Sequence, residues 1–219
     1  MALVSRRHFQ PWEGGEGGPL GQHVRSHLAL GREGLTSGKA HSARAHFEAA
    51  LNAPVNLGEA KHLLANQSDI HYWLGCAYDA LGEKATSRKH WLAAATFRGD
   101  FQQMSIRSFS EMTYYSALSW IRLGRKAAGR KLLNELLTYA SKLAKEPAKI
   151  DYFATSLPTM LLFEDDLQHR QETTALFLQA QAHLGLGRLA KAKSLLRRVL
   201  RRDPSHAQAV DHLKELSAR

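Results

Sequence analysis

Small and apolar residues recur at helical spacing on both sides of a glycine between positions 68 and 95. On the first side they are Leu74, Gly75 and Tyr78, and on the second side they are Ser87, Trp91 and Ala94. Gly82 lies between the two sets and interrupts the helical pattern. Small residues let two antiparallel helices approach closely, while aromatic side chains fill the space beside them. The pattern therefore predicts a helical hairpin, and because two helices bury little apolar surface alone, it also predicts neighbouring hairpins.

The same spacing recurs in three other parts of the chain. The first copy has Leu30, Gly31, Gly38, Ala43, Phe47, Ala50 and Pro54; the third has Ala117, Trp120, Gly124, Gly129, Leu133 and Leu136; the last has Ala180, His183, Gly187, Ala192, Leu196, Val199 and Pro204. Four copies in register indicate a repeat architecture. An ordinary helical bundle is the alternative.

This pattern resembles the tetratricopeptide repeat, in four copies that cover most of the chain. The resemblance implies an all-α fold, a solenoid of helical hairpins wound into a right-handed superhelix whose concave side holds extended peptides. Hairpins of that family repeat at about 34 residues. The copies here are 44, 42 and 63 residues apart. We therefore expect an irregular array, with longer helices or inserted segments between hairpins.

Glycine and proline near the start of the chain predict a lead-in without regular helix over residues 1–21. We expect the repeat domain to span 22–219, with its first helix beginning near Gln22. The predicted hairpins cover about 22–54, 68–98, 110–145 and 173–204, with an insertion at 146–172 and a terminal helix at 205–218. Ser108 with Glu111 is the predicted cap of the third hairpin, and Ser205 with Gln208 is that of the terminal helix.

Composition fits a globular protein that can bury a core. The chain has 219 residues, of which 44% are hydrophobic and 23% charged. No segment has the apolar core of a secretion signal, and no apolar run reaches the ~18 residues of a membrane span. The single cysteine, Cys76, excludes an internal disulfide and fits a reducing compartment. We therefore expect a cytoplasmic protein without a membrane partner.

The formal net charge of +10 raises the hypothesis of nucleic-acid binding. Much of this charge lies on one predicted helix of the last hairpin, at Lys191, Lys193, Arg197, Arg198, Arg201 and Arg202. Cations late in a helix complement its dipole, and no aromatic residues are interleaved with them for base stacking. A solvated outer face is the favoured interpretation, so nucleic acid is not expected as a partner.

No motif predicts catalysis, a metal or a cofactor. The stretch at 34–40, GLTSGKA, has neither the four residues between glycines nor the Ser or Thr after lysine that a phosphate-binding loop needs. His23 and His27 are spaced like two metal ligands on one helical face, but no third ligand has diagnostic spacing. The acidic residues at 164–166 are adjacent, so on a helix they would point in different directions, and a solvated turn is favoured over acid–base work.

A second resemblance rests on four segments between the hairpin positions: FQPWEGGEG at 9–17, NLGE at 56–59, DYFATSLP at 151–158 and FEDDLQ at 163–168. With the hairpins, these look like the carboxy-terminal repeat region of large bacterial proteins. The front part of those proteins is a β-rich domain of unknown function, suspected of carbohydrate-related work. The resemblance implies a fragment or a separately encoded tail, with a β-rich domain encoded upstream as its partner.

The predicted function is that of a non-catalytic scaffold that binds a peptide, a protein or a neighbouring domain on its concave face. The alternative is the tail of a carbohydrate-active bacterial protein that contributes to its substrate site. The family resemblance places seven side chains on or beside the concave face: Leu28, Arg32, Tyr72, Asp79, Tyr114, Arg122 and Phe177. Aromatic residues suit peptide anchors. Packing of these residues against the next hairpin is an equal alternative.

Overall fold

The computed structural model describes residues 6–10, 17–102, 105–149 and 166–217. From residue 17 to residue 217, the described part contains nine α-helices: α1 (Gly18–Thr36), α2 (Ala40–Leu51), α3 (Ser68–Ala80), α4 (Lys84–Thr96), α5 (Met112–Arg122), α6 (Lys126–Leu143), α7 (Leu167–Gly185), α8 (Leu189–Arg202) and α9 (Ala207–Ser217). A 3-10 turn (Val55–Leu57) and two strands, β1 (Asp100–Gln102) and β2 (Ser105–Arg107), lie in the connections. None of the described helices is both long and apolar enough to cross a membrane.

The chain divides into two compact units, which we call unit 1 (Met1–Phe97) and unit 2 (Arg98–Arg219). Unit 1 contains the hairpins α1–α2 and α3–α4, and unit 2 contains α5–α6, α7–α8 and the final helix α9. The predicted all-α fold of helical hairpins is confirmed.

Each hairpin turns at a glycine in the left-handed region of backbone conformation. Gly38, Gly82, Gly124 and Gly187 have φ angles of 71, 80, 83 and 79°, which side chains with a Cβ rarely adopt. The N–H after the glycine donates to the carbonyl five residues earlier, as from Lys39 to Gly34 at 2.7 Å. This closure pairs carbonyl groups that a helix end would otherwise leave open. The turn glycines therefore define where each hairpin reverses.

The two helices of a hairpin meet where a small residue faces a large one sixteen positions later. In unit 1, a Cβ on Gly31 would overlap the ring of Phe47, and a Cβ on Gly75 would overlap the indole of Trp91. In unit 2 the corresponding pairs, all fully buried, are Ala117 with Leu133 and Ala180 with Leu196. Glycine makes room for an aromatic ring in unit 1, while alanine and leucine occupy the corresponding positions of unit 2, where Ala180 and Leu196 share one buried cluster.

The two hairpins of unit 1 stack in chain order. Helices α2 and α3 share a core cluster whose buried members are Ala43, Phe47, Ala50, Ile70, Leu74 and Ala77. The Phe47 ring also stacks with Trp73, with the ring centroids 6.1 Å apart. Tyr78 of α3 donates its hydroxyl proton to the Glu48 carboxylate of α2 at 2.9 Å. Apolar burial and one partly buried hydrogen bond thus join the two hairpins.

Helix α1 begins at Gly18, and the prediction of a non-helical lead-in through residue 21 is wrong at this boundary. A proline in the first helical turn loses no hydrogen bond, because the first N–H groups of a helix have no partner inside it. The Glu59 carboxylate instead accepts the N–H of Gly17 at 2.7 Å and that of Leu20 at 3.0 Å. A side chain 42 residues away in sequence therefore caps the helix.

Unit 2 begins with a short β-hairpin in which Asp100 pairs with Arg107. Sequence periodicity does not predict this hairpin, because three residues per strand are too few to show alternation. Helices α6 and α7 share the buried residues Leu136, Ala140, Leu178 and Ala182. Helices α7, α8 and α9 share Phe177, Ala180, Leu195, Leu196, Val199 and Ala209. The terminal helix thus covers the last hairpin.

The cap of α5 differs from the predicted pair Ser108 and Glu111. The Ser110 hydroxyl accepts the N–H of Met112 at 3.1 Å, and the Thr113 hydroxyl accepts the N–H of Ser110 at 3.1 Å. A cap at Ser108 would start the helix at Phe109, but α5 starts three residues later, at Met112, whose N–H the Ser110 hydroxyl accepts.

The cap of α9 also differs from the predicted pair Ser205 and Gln208. Ser205 donates its hydroxyl proton to Asp203 at 2.7 Å, so it is engaged outside the helix. The Nδ1 atom of His206 accepts the N–H of Ala209 at 3.3 Å in its place. A histidine thus takes the position where sequence rules favour serine.

Candidate functional site

A cleft of about 860 Å³ lies in unit 2 between α6, α7 and the start of α9. It is lined by Arg107, Glu111, Tyr139, Leu143, Ala148, Lys149, Leu167, Arg170, Gln171, Thr174, Phe177, Asp203, Ser205, His206, Ala207 and Gln208. Helix α7 forms one wall with one of its faces, which holds Leu167, Arg170, Gln171, Thr174 and Phe177. The volume is that of a typical ligand pocket.

Phe177 and His206 line this cleft and belong to an aromatic cluster that also includes His212. The Phe177 ring is 3% exposed, and its centroid lies 4.4 Å from His206 and 5.9 Å from His212. His212 in turn meets the Tyr114 ring edge-on at 5.4 Å. Burial lowers the pKa of His206, against an opposing effect of Asp203. Helices α5, α7 and α9 are thus joined by an aromatic cluster whose His206 ring is uncharged at neutral pH.

Charged and polar groups surround the cleft. Its cations are Arg107, Lys149 and Arg170, and its anions are Glu111 and Asp203. The Lys149 and Arg170 side chains are exposed. The Oε1 atom of Gln208 is buried and has no hydrogen-bond partner within the described residues. A ligand that donates an N–H to this oxygen would remove the cost of a buried, unpaired acceptor.

The walls of the cleft are held together by hydrogen bonds from long polar side chains. Gln171 Nε2 donates to the carbonyl oxygens of Leu143 at 3.1 Å and Glu146 at 2.7 Å, which closes the end of α6. Arg202 of α8 donates to the Glu172 carboxylate of α7 at 2.7 Å. The cleft is therefore bounded by helices whose positions are set before any ligand binds, which lowers the entropy cost of binding.

Three of the predicted partner-binding residues lie in unit 2, and the structure places them differently. Phe177 lines the cleft, Arg122 is exposed at the end of α5, and Tyr114 is 5% exposed. The Tyr114 ring meets Tyr115 and His212 edge-on, at 5.1 and 5.4 Å. Packing, the alternative interpretation, describes this environment of Tyr114. A binding role for these residues stays a prediction.

The other four predicted residues lie in unit 1: Leu28, which packs partly buried against its core, Arg32, Tyr72 and Asp79. Arg32 lies 5.9 Å over the ring of Trp73. Tyr72 is 7% exposed and meets the same ring edge-on at 5.1 Å. Asp79 accepts a hydrogen bond from Lys84 at 2.6 Å. These residues contact their own unit, and a contact with a partner stays a prediction for them too.

Sequence reasoning missed two histidine pairs at equivalent positions in the hairpins of unit 1. The Nδ1 atoms of His27 in α1 and His46 in α2 are 3.1 Å apart. Those of His71 in α3 and His90 in α4 are 3.0 Å apart, and each pair spans 19 positions. A signal was present in the sequence, because each hairpin has one histidine four residues before the small glycine and another just before the large aromatic residue.

The surroundings of these pairs keep one ring of each uncharged. Burial, with the neighbouring histidines His23 and His46, lowers the pKa of His27 from 6.5 to about 4. Burial, with His90 and the ammonium of Lys61, lowers the pKa of His71 to about 4 as well. At neutral pH both rings are therefore neutral and available as hydrogen-bond partners.

The residues considered above for metal binding, phosphate binding or catalysis have structural roles. His23 Nε2 donates to the Ala49 carbonyl at 2.9 Å, and the stretch at 34–40 forms the turn of the first hairpin. Of the acidic residues at 164–166, only Asp166 is described, and it accepts the His169 N–H at 2.8 Å as the cap of α7. Within the described ranges, no three His, Cys, Asp or Glu side chains are grouped to hold a metal ion.

These hairpins define the class of the protein, which is an all-α protein of stacked helical hairpins. Residues 174–206 match the sequence profile of the Tetratricopeptide repeat family. The match confirms the predicted resemblance at the last hairpin, and it includes Thr174, Phe177 and His206 of the cleft lining. No solved structure gives a significant match to the chain. Repeats of this type indicate a protein–protein interaction module, and their fold is generally non-catalytic.

Proposed function

We propose that the chain is a non-catalytic interaction module and that the cleft of unit 2 binds an extended segment of a partner protein. One observation carries the proposal: the cleft is lined by the first helix of the hairpin that matches the Tetratricopeptide repeat. In stacked hairpin arrays, the repeated first helices build an extended binding surface. The cleft volume of about 860 Å³ suits several residues of an extended chain.

The cleft lining supports a particular chemistry for this segment. Tyr139, Leu143 and Phe177 offer apolar contact for one bulky side chain. The exposed cations Lys149 and Arg170 suit a carboxylate beside it. The buried Oε1 atom of Gln208 suits a backbone N–H. We therefore propose a segment in which an apolar anchor stands next to an acidic residue.

Site-specific photo-crosslinking in cells tests this proposal. A photoreactive amino acid at Thr174, inside the cleft, should crosslink to a partner peptide that mass spectrometry identifies. The same amino acid at Arg198, exposed on the outer side of α8 and outside the cleft, is the matched control. Capture of the same partner with equal yield at both positions would place the contact elsewhere.

Binding to the identified peptide then tests the role of charge. Arg170→Glu should weaken binding about tenfold, since a like charge opposes the acidic residue of the segment, and it should act more strongly at low salt. Arg198→Glu should leave the affinity unchanged. Equal effects of the two substitutions would show only a response to net charge.

The alternative function, as the tail of a carbohydrate-active protein, depends on residues 151–166, and among these the described part includes Asp166 alone.

The NLGE segment has a structural explanation. Asn56 donates to the Arg7 carbonyl at 2.8 Å and accepts the Phe9 N–H through its own carbonyl at 2.8 Å, while Glu59 caps α1. These contacts join residues 7 and 9 to the turn after the first hairpin and give NLGE a structural role that is independent of the alternative function.

A further inference from the structure

We propose that unit 1 contains an acid-sensitive latch made of the pairs His27–His46 and His71–His90. Each pair joins the two helices of its hairpin while it holds at most one extra proton, and a second proton separates them. The inference is independent of the cleft in unit 2. It assigns a regulatory device to the half of the chain that the proposed binding site does not use.

The geometry of the pairs carries this inference. Separations of 3.1 and 3.0 Å between Nδ1 atoms are hydrogen-bond distances, and such a bond needs an N–H on one ring and a lone pair on the other. A first added proton leaves the bond intact, because the uncharged ring still accepts. A second proton places an N–H on both nitrogens and two positive charges in contact. A doubly protonated pair cannot keep this arrangement.

The first pair has a further titratable neighbour on α1. The His23 ring centroid lies 4.5 Å from that of His27, and His23 donates to the carbonyl of Ala49 on α2. Both His23 and His46 act on His27 in the direction that disfavours its charge. Three histidines from α1 and α2 thus lie together, and charge on His23 or His46 disfavours charge on His27.

His71 of the second pair faces a cation and an aromatic ring. Lys61 donates to Gln67 Oε1 at 3.0 Å, and its ammonium disfavours charge on His71. The Phe97 ring lies 6.1 Å from the His71 ring. Neither neighbour offers a carboxylate to stabilise a second proton on this ring.

His90 of the second pair has both favourable and unfavourable charged neighbours. Glu48 raises the pKa of His90, while burial and Lys89 lower it with the larger combined effect. The Glu48 carboxylate already accepts the hydroxyl proton of Tyr78, whose ring stacks on His90 at 5.3 Å. Arg44 lies 3.6 Å from the same carboxylate. Glu48 thus favours a proton on His90, whereas burial, His90 and Lys61 all disfavour a proton on His71.

Unit 2 provides an internal control, because the side chains at the corresponding positions of its hairpins do not titrate. They hold Thr113 with Leu132 in α5–α6 and Leu176 with Leu195 in α7–α8. The two helices of a hairpin therefore pair in both units, with histidine rings at these positions in unit 1 and without them in unit 2. The control concerns these hairpin positions, because unit 2 has histidines elsewhere, such as His183 and His206, whose pKa burial lowers.

The pH window follows from the titration of the two buried rings. The pKa values of His27 and His71 are about 4 in the folded chain and 6.5 as the ordinary value. Between these values the unfolded chain binds more protons than the folded chain, so stability falls as the pH is lowered. The latch is closed above about pH 6.5 and opens progressively toward pH 4.

Hydrogen exchange of the full chain, measured by mass spectrometry and corrected for the intrinsic pH dependence, tests the latch. Between about pH 7.5 and 5, protection of α1–α4 should fall tenfold or more, and by more than that of α5–α9, where burial also lowers the pKa of His183 and His206. The quadruple variant H27L/H46L/H71L/H90L, which copies the leucine pair of α7–α8, should lose this difference. An equal fall in both units, or an unchanged response of the variant, would overturn the proposal.

A second variant keeps the test decisive if four leucines unfold the hairpins. H46N/H90N retains a side chain that hydrogen-bonds the partner ring and removes one proton site from each pair. It should fold at neutral pH and show a smaller loss of protection in acid. NMR titration of the imidazoles supplies an independent readout, and titration of His27 and His71 near 6.5 would contradict the latch.

Discussion

Units 1 and 2 use one backbone plan for their hairpins and fill its contact positions with different side chains. The turn glycine and the sixteen-residue separation of the small and large residues are the same in all four hairpins. Unit 1 pairs glycine with an aromatic ring and adds two histidine pairs, whereas unit 2 pairs alanine with leucine. The comparison teaches that the spacing determines the hairpin, while the residue types at the contact determine whether it responds to acid.

The two units also differ in how their helix ends are satisfied. In unit 1 the start of α1 is capped by Glu59 and the end of α2 by Lys61, whose Nζ atom lies 2.6 Å from the Ala50 carbonyl. In unit 2 the start of α7 is capped by its own Asp166, and the end of α6 is closed by the neutral Gln171. Unit 1 thus uses charged side chains from a connecting segment at these helix ends, whereas unit 2 uses Asp166 next to α7 and Gln171 within α7.

The largest expected effect comes from exchanging the contact of one unit for that of the other. Trp91→Leu alone should destabilise unit 1 by roughly 2–4 kcal/mol through a cavity, and Gly75→Ala alone by roughly 1–3 kcal/mol through overlap with the indole. The double variant creates the Ala and Leu pair of unit 2, so it should be more stable than the sum of the single losses predicts. Chemical denaturation of all three variants measures this coupling.

The reciprocal exchange in unit 2, Ala180→Gly with Leu196→Phe, is the matched control for this first prediction. It should also show a favourable coupling, because glycine makes room for the larger ring. Strictly additive losses in both units would mean that the small and large residues do not compensate each other.

An intermediate effect is expected at the helix caps. Glu59→Gln removes the charge that accepts the N–H groups of Gly17 and Leu20 at the start of α1 and should cost about 1–2 kcal/mol. Asp166→Ala removes one local cap of α7 and should cost about 1 kcal/mol. Glu33→Gln, on the exposed side of α1, is a control with little expected effect. Thermal unfolding ranks the stability losses of the three variants. If Glu59→Gln lost no more stability than Glu33→Gln, the Glu59 carboxylate would not be a stabilising cap.

The smallest effect is expected from converting the cap of α2 to the neutral type found in unit 2. Burial lowers the pKa of Lys61 from 10.5 to about 8, against an opposing effect of Asp69. Between these values the unfolded chain binds more protons, so this lysine makes stability rise with pH in that range. Lys61→Gln should change stability at neutral pH by about 1 kcal/mol or less and abolish the rise above pH 8. Chemical denaturation between pH 7 and 10 measures the rise of stability with pH. A rise of equal size in the variant would mean that another group causes it.

Local spacing by itself determined the hairpins of this protein. Glycine at each turn and a small residue seven positions before it act through contacts within one turn or one helix pair, and these are visible in sequence. The same spacing predicted the resemblance to the Tetratricopeptide repeat, which the profile match at 174–206 confirms. The resemblance in turn placed Phe177 among the candidate binding residues, and this residue lines the cleft of unit 2.

The tertiary structure decided the features that join residues far apart in sequence. The start of α1 depends on Glu59, 42 residues from the N–H that it accepts, and the histidine pairs depend on rings 19 positions apart. The cleft gathers side chains from 107 to 208, and the burial of Tyr72 and Tyr114 follows from their neighbours in space. Periodicity reports which face a residue occupies, but not which distant side chain meets that face, because that depends on the path of the connecting chain.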